Sequence, residues 1–204
     1  MAPPRKPNWR KAEIIAAAAE CFMERGYQAT TVDHVAARLN ATKGRIYHHY
    51  DSKTDLFFDV HREGMNRLFA GLQPALEKGD GTARDRLHGM MLAHARSMLE
   101  HHTFENVVAQ GVQVHRFQQV SPEQRATMAD LIASRDAFEA LFRSALQDAI
   151  DEGSVPSMDV SIGVKTLLGA LQWSIFWYRP KADETELDRT RLAEKIVAPL
   201  ISGF

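Results

Sequence analysis

Residues 30–53, TTVDHVAARLNATKGRIYHHYDSK, hold two short apolar stripes separated by one sharp break, and their reading decides the fold. Thr31 is placed to cap the first helix, its hydroxyl oxygen accepting from an otherwise unpaired backbone N–H. Val32, Val35, Ala36 and Leu39 then recur at helical spacing and predict one buried face. Asn40 stands where the chain must turn, and asparagine is among the few residues other than glycine that tolerate the left-handed conformation. Thr42 can cap the second helix, in which Ile46 and Tyr50, four apart, point inward. That leaves Lys43, Arg45, Tyr47 and His48 outward, and such side chains meet phosphates and base edges in a major groove. Gly44 removes a Cβ that would limit how closely the backbone approaches DNA; its cost of ~1 kcal/mol relative to alanine calls for an offsetting use. The pattern is a helix-turn-helix, the alternative being a helical hairpin with a solvated charged face.

The preceding segment agrees. Ile14, Ala18 and Phe22 form a stripe that ends in Arg25-Gly26-Tyr27, where glycine terminates the helix. Taken in order, the stripe, the Gly-Tyr stop, the Thr-Thr cap, the turn, Tyr-His-His-Tyr and Ser-Lys followed by Thr54-Asp55-Leu56 resemble the N-terminal domain of the tetracycline-repressor (TetR) family of bacterial transcriptional regulators. The resemblance implies DNA-contacting roles for Thr31, Thr42, Lys43, Gly44, Arg45, Tyr47, His48 and Lys53. This chain departs from the family pattern at Asn40, where glycine is usual, and at Arg45, where a small hydroxyl residue is frequent. Arginine paired bidentately with guanine would supply about 1–3 kcal/mol of discrimination, so Arg45 is a candidate base contact.

A net charge of −1 over 204 residues argues against a nucleic-acid binder only until it is divided. Residues 1–53 carry nine Lys or Arg against five acids, a balance of +4, and the remaining 151 carry 16 against 21, a balance of −5. Positive charge is concentrated where DNA contact is expected. We therefore divide the chain into a helix-turn-helix domain, 1–53, with a short disordered arm at its start, and a helical ligand-binding and dimerisation domain, 54–204. The single Cys21 excludes an intramolecular disulfide and, beside Phe22, reads as a buried structural thiol rather than a redox sensor. No uncharged run approaches the ~20 residues of a membrane span, and the start, Met-Ala-Pro-Pro-Arg-Lys-Pro, lacks the apolar stretch of a secretion signal. A cytoplasmic location is expected.

Beyond residue 53 the chain predicts an all-α arrangement. A long helix capped by Asp51 or Ser52 reaches about residue 78, and others span about 82–102, 104–120, 122–153 and 159–178, with a last one carrying Leu187, Leu192 and Ile196. Ser121-Pro122-Glu123 supplies a cap, a proline at the first helical position and an acid against the helix dipole. The 159–178 helix is apolar nearly all round, which requires burial on more than one side. One face is expected to meet the domain core and another a second subunit, with Leu167, Leu168, Leu171 and Ile175 joined by Ile196 and Leu200 in an intermolecular four-helix bundle. An aromatic-rich monomer core is the alternative.

Met91, Met98, Phe104, Val108, Val112, Phe138, Phe142, Trp173 and Trp177 are candidates to line an apolar cavity, and each also suits plain core. Trp177-Tyr178-Arg179-Pro180, after Glu152-Gly153 and Asp159-Val160, resembles members of the family that respond to coenzyme A thioesters. That resemblance implies an acyl-coenzyme A effector, with Arg179 or Arg116 as candidate phosphate contacts. His48-His49 and His101-His102 point to different helix faces and complete no metal site; no catalytic motif is present, so neither a metal nor an enzyme is expected. The whole predicts a homodimeric repressor that binds a palindromic operator and leaves it when a small apolar molecule enters the C-terminal domain. A helical ligand carrier or interaction scaffold would share the C-terminal helices without needing a basic second helix.

Overall fold

The computed structural model describes residues 11–77, 81–117 and 121–202, with the backbone alone for 112–117 and 202. The expected N-terminal arm lies outside the described residues. Ten helices follow in order among those described, and no strand: α1 (Lys11–Ala29), α2 (Val32–Arg38), α3 (Lys43–Tyr47), α4 (Lys53–Glu77), α5 (Ala83–Glu100), α6 (His102–Phe117), α7 (Pro122–Asp151), α8 (Val160–Gln172), α9 (Ser174–Trp177) and α10 (Glu186–Ser202).

Local chemistry sets the helix ends. Gly26 breaks α1 with φ 74° and ψ 166°, a backbone state costly for a residue with a Cβ. Thr31 caps α2 in a reciprocal box: its Oγ1 accepts from His34 N, and His34 Nδ1 accepts from Thr31 N. Asn40 adopts φ 50° in the turn. Asp55 N donates to Ser52 Oγ at the start of α4, and Ser121 and Asp159 cap α7 and α8 in the same manner.

Two apolar cores result. The first joins Ile14, Phe22, Val35, Ile46 and Tyr50 of the helix-turn-helix region to Leu56, Phe57 and Val60 of α4, and takes in Phe104, Val107 and Leu131 from α6 and α7. Cys21 is buried within it, and burial raises its thiol pKa. The packed unit thus continues past residue 53. The second core fills the space among α4, α5, α7, α8 and α10. Between the two, α4 and α6 approach at Gly64, where a Cβ would stand 2.5 Å from Val108 Cγ2 and 3.4 Å from the Phe104 carbonyl oxygen.

The expectation for the α8 and α9 residues of the subunit contact is corrected. Leu167, Leu168, Leu171 and Ile175 are buried in the protomer's own core, and Ile196 and Leu200 pack half-buried against it. The leucine row of α8 is spent on α5 and α7, which leaves Ile162, Trp173, Phe176 and Trp177 as the outward apolar face. Trp173 is 62% exposed and Phe176 59%, with ring centroids 4.7 Å apart.

His94 of α5 is a costly core residue. Its ring lies 5.2 Å from that of Phe138 and 5.8 Å from that of Phe142, and neither nitrogen has a hydrogen-bond partner among the described residues. Burial pushes the imidazole down to about 4 from 6.5. Between those values the unfolded chain holds a proton that the folded chain refuses, so stability falls as pH falls through that window, by roughly 3 kcal/mol when complete. His94→Leu is expected to raise the melting temperature, with a larger gain near pH ~5 than near pH ~7.5. Thermal unfolding at both pH values checks this, and equal gains would refute the protonation argument.

Candidate functional site

The α2–turn–α3 segment offers one continuous surface. Thr31, Thr42, Lys43, Gly44, Tyr47 and His48 are exposed on it, while Ile46 and Tyr50 anchor α3 from beneath. Thr42 occupies the N-cap position but makes no capping hydrogen bond. Lys43 Nζ stands 3.7 Å from Asp33 Oδ2, both well exposed, a pair that solvent weakens and a phosphate would replace at little cost. Arg38 is committed elsewhere, to Glu20 and Glu24 of α1, which hold its guanidinium firmly charged.

Two of the expected contacts sit differently from the rest. Arg45 is half-buried rather than fully outward. Lys53 is turned into the fold: its Nζ donates to the carbonyls of Tyr27 (2.8 Å), Gln28 (3.3 Å) and Thr30 (2.9 Å) and lies 4.4 Å from the centre of the Tyr27 ring. This places a cation on the unpaired carbonyls that follow the break in α1. Burial lowers the Lys53 pKa.

Gly44 has ordinary backbone angles, and a Cβ built there meets nothing within 4 Å. Nothing in the protomer therefore demands glycine at this position. Gly44→Ala is expected to stabilise the fold by up to ~1 kcal/mol and at the same time to weaken DNA binding severalfold. Thermal unfolding together with fluorescence anisotropy on operator DNA at fixed salt reads both signs; tighter binding in the more stable variant would remove the groove-approach argument.

A cavity of about 490 Å³ opens beside the second core, within the range of small-molecule sites. Its deep wall is Met65 and Leu68 of α4, Met98 of α5, Glu105 and Val108 of α6, Phe138 of α7, and Leu168 and Ile175. Ala109, Arg135, Asp136, Glu139, Lys165, Gly169, Gln172, Trp173 and Phe176 complete the lining, with Lys165 Nζ 2.9 Å from Glu139 Oε1.

Four of the expected ligand residues, Met98, Val108, Phe138 and Trp173, line this cavity. Met91 and Phe142 do not: both are fully buried in the second core. Phe104 belongs to the first core, under the Arg67 guanidinium, and Trp177 is on the outward face. The side chains of Val112 and Arg116 lie outside the described residues. Arg179 is absent from the cavity wall, its Nη1 donating to the Tyr178 carbonyl, so the cations at the mouth are Arg135 and Lys165. Glu105, which sequence reasoning passed over, was legible: it stands three residues before Val108 on the same helical stripe.

An exposed helix-turn-helix face joined by packed helices to an internal cavity is the architecture of a DNA-binding regulator. The comparisons with known proteins agree. The family model for bacterial regulatory proteins of the tetR family matches residues 14–60, and the tetracyclin repressor-like C-terminal domain matches residues 80–203; the chain belongs to this family of transcriptional regulators, which are not enzymes. It is 29% identical over 201 residues to the HTH-type transcriptional repressor KstR2 of Mycobacterium tuberculosis, covering 97% of this chain and 94% of that one. Its structure is similar to that of the TetR family regulator PfmR from Thermus thermophilus, with a TM-score of 0.78, 28% identity and coverage of 97% and 98%. AibR, solved in complex with isovaleryl coenzyme A and operator DNA, shares the fold with a TM-score of 0.72 at 21% identity, over 92% of this chain and 97% of that one. Among the described residues no helix is long and apolar enough to cross a membrane.

Proposed function

We infer that this chain is a cytoplasmic homodimeric repressor that sets α3 of each subunit into the major groove of a palindromic operator and leaves the DNA when a small apolar effector fills the cavity. The observation that carries the reading is the joint presence, in one packed unit, of the exposed Thr31, Thr42, Lys43, Tyr47 and His48 surface and an apolar cavity on α6. The outward apolar face of α8 and α9 supports a second subunit, since a patch of large exposed apolar side chains marks an interaction site. Its occupant is a second copy of the chain, because two recognition helices about 34–36 Å apart match successive turns of the major groove.

An acyl-coenzyme A thioester is the proposed effector class. AibR, of similar fold, was solved with isovaleryl coenzyme A, and the cavity here joins an apolar interior to a mouth that carries Arg135 and Lys165, the latter paired with Glu139, beside Asp136. Release then follows from differential affinity: a thioester that binds the DNA-competent and incompetent arrangements equally shifts nothing, however tightly it binds.

The test is binding of the purified protein to DNA from beside its own coding region at fixed salt, with and without a panel of acyl-coenzyme A thioesters and free acids. Sequence-specific binding that a thioester releases is the expected result. Specific binding that ignores the panel would keep the regulator and discard the effector class.

A further inference from the structure

Glu105 is 2% exposed and lines an otherwise apolar inner wall with Met65, Leu68, Met98 and Phe138. Its Oε1 is buried and has no hydrogen-bond partner among the described residues. A buried polar atom without a partner costs a fold stability, and natural folds retain few of them. The nearby cation does not answer it. Arg67 of α4 is turned to Glu63, 2.9 Å away, and to the face of Phe104, and no ion pair joins Arg67 to Glu105 among the described residues. Burial favours the protonated form of the Glu105 carboxyl and holds its pKa well above the usual carboxylate range, with Arg67 only partly opposing. A neutral carboxyl carries one O–H donor and a carbonyl acceptor, and its complement is a group that both accepts and donates.

We propose that Glu105 is the polar anchor of the effector site, and that the effector carries a hydroxyl at the inner end of an otherwise apolar body. The proposal rests on the reading of the cavity as the effector site and adds the feature by which one apolar molecule is told from another. The O–H of Glu105 donates to the effector's hydroxyl oxygen, and the effector's hydroxyl donates to the carboxyl's other oxygen. An analogue without the hydroxyl leaves that pair of bonds unmade, whereas an apolar replacement of Glu105 leaves the effector's hydroxyl buried and unpaired.

Calorimetric binding of 9-hydroxydecanoic acid and decanoic acid, each free and as its coenzyme A thioester, tests this without DNA on the wild-type protein, Glu105→Gln and Glu105→Leu. The wild type is expected to prefer the hydroxylated member of each pair about fivefold or more, Glu105→Gln to keep that order because its amide both donates and accepts, and Glu105→Leu to reverse it. Glu105→Leu should also melt higher than the wild type without ligand, which separates a lost anchor from a lost fold. The same order of affinities in all three proteins would overturn the proposal and leave the thioester reading standing. A hydroxyl preference among the free acids with no thioester binding would do the reverse, and binding of none of the four probes would overturn both.

Discussion

Ile162→Asp combined with Trp177→Asp is expected to yield a folded monomer that binds operator DNA about a hundredfold more weakly than the parent. Both side chains lie on the outward face, Ile162 at 62% and Trp177 at 47% exposure, so aspartates there remain in water in the single chain and cost its own core little. In a dimer the same aspartates would be desolvated without partners, a penalty large enough to undo an apolar contact. Operator affinity depends on the pair because the second half-site is bound at high effective concentration, worth ~10²–10⁴. Neither residue lines the cavity, whereas Trp173 and Phe176 of the same face do, so this pair separates dimer loss from damage to the ligand site. Sedimentation, anisotropy on the operator and calorimetry on decanoyl-coenzyme A give the three readings. A variant that remains dimeric, or a monomer that binds operator as tightly as the parent, would show that the α8–α9 face is not the subunit contact.

The error over that face shows where sequence reading ends. Features governed by a few neighbouring residues were legible: the Thr31 cap, left-handed Asn40, the break at Gly26, and inward Ile46 and Tyr50. Each is decided within about one helical turn, where hydroxyl, amide or absent Cβ has a single local use. The 159–178 stretch is apolar on two faces, and periodicity supplies two stripes without saying which one a neighbour claims. The packing of α5 and α7 decides it, and those partners lie far away in the chain. Lys53 is a similar case: the family resemblance implied a DNA contact, but the carbonyls it meets come from residues 27–30 and converge on it only after folding. Of the cavity, the apolar wall was half legible. Its polar members, Glu105, Arg135 and Lys165, come from α6, α7 and α8 and meet only in the folded chain, whereas the sequence pointed to Arg179 and Arg116 for the cations.

Gln110→Ala is expected to uncouple the cavity from the DNA-binding helices while leaving each able to bind. Gln110 sits one residue past the cavity-lining Ala109 on α6, and its side chain closes the break at the end of α1: Oε1 accepts from Tyr27 N at 3.1 Å, and Nε2 donates to the Phe22 carbonyl at 3.0 Å. A second bridge runs from α7, where Gln124 Nε2 donates to Ser52 Oγ (3.1 Å) and Asp55 Oδ1 (3.2 Å) at the start of α4. A ligand that displaces α6 by a few tenths of an ångström therefore pulls on the carbonyl and amide that tie α6 to α1 at its break, and the close approach of α4 and α6 at Gly64 carries the same shift to α4. Allosteric coupling is commonly ~1–3 kcal/mol, and the hydrogen bonds lost with Gln110 are of similar size, so removing them should cut a thioester's effect on operator affinity by about tenfold. The variant should bind decanoyl-coenzyme A in the absence of DNA as the parent does, and should melt lower because the Tyr27 N–H and Phe22 carbonyl lose their partner. A purely structural glutamine would lower the melting temperature and operator affinity together but leave the ratio of affinities with and without the thioester unchanged. That ratio is what decides between coupling and bracing.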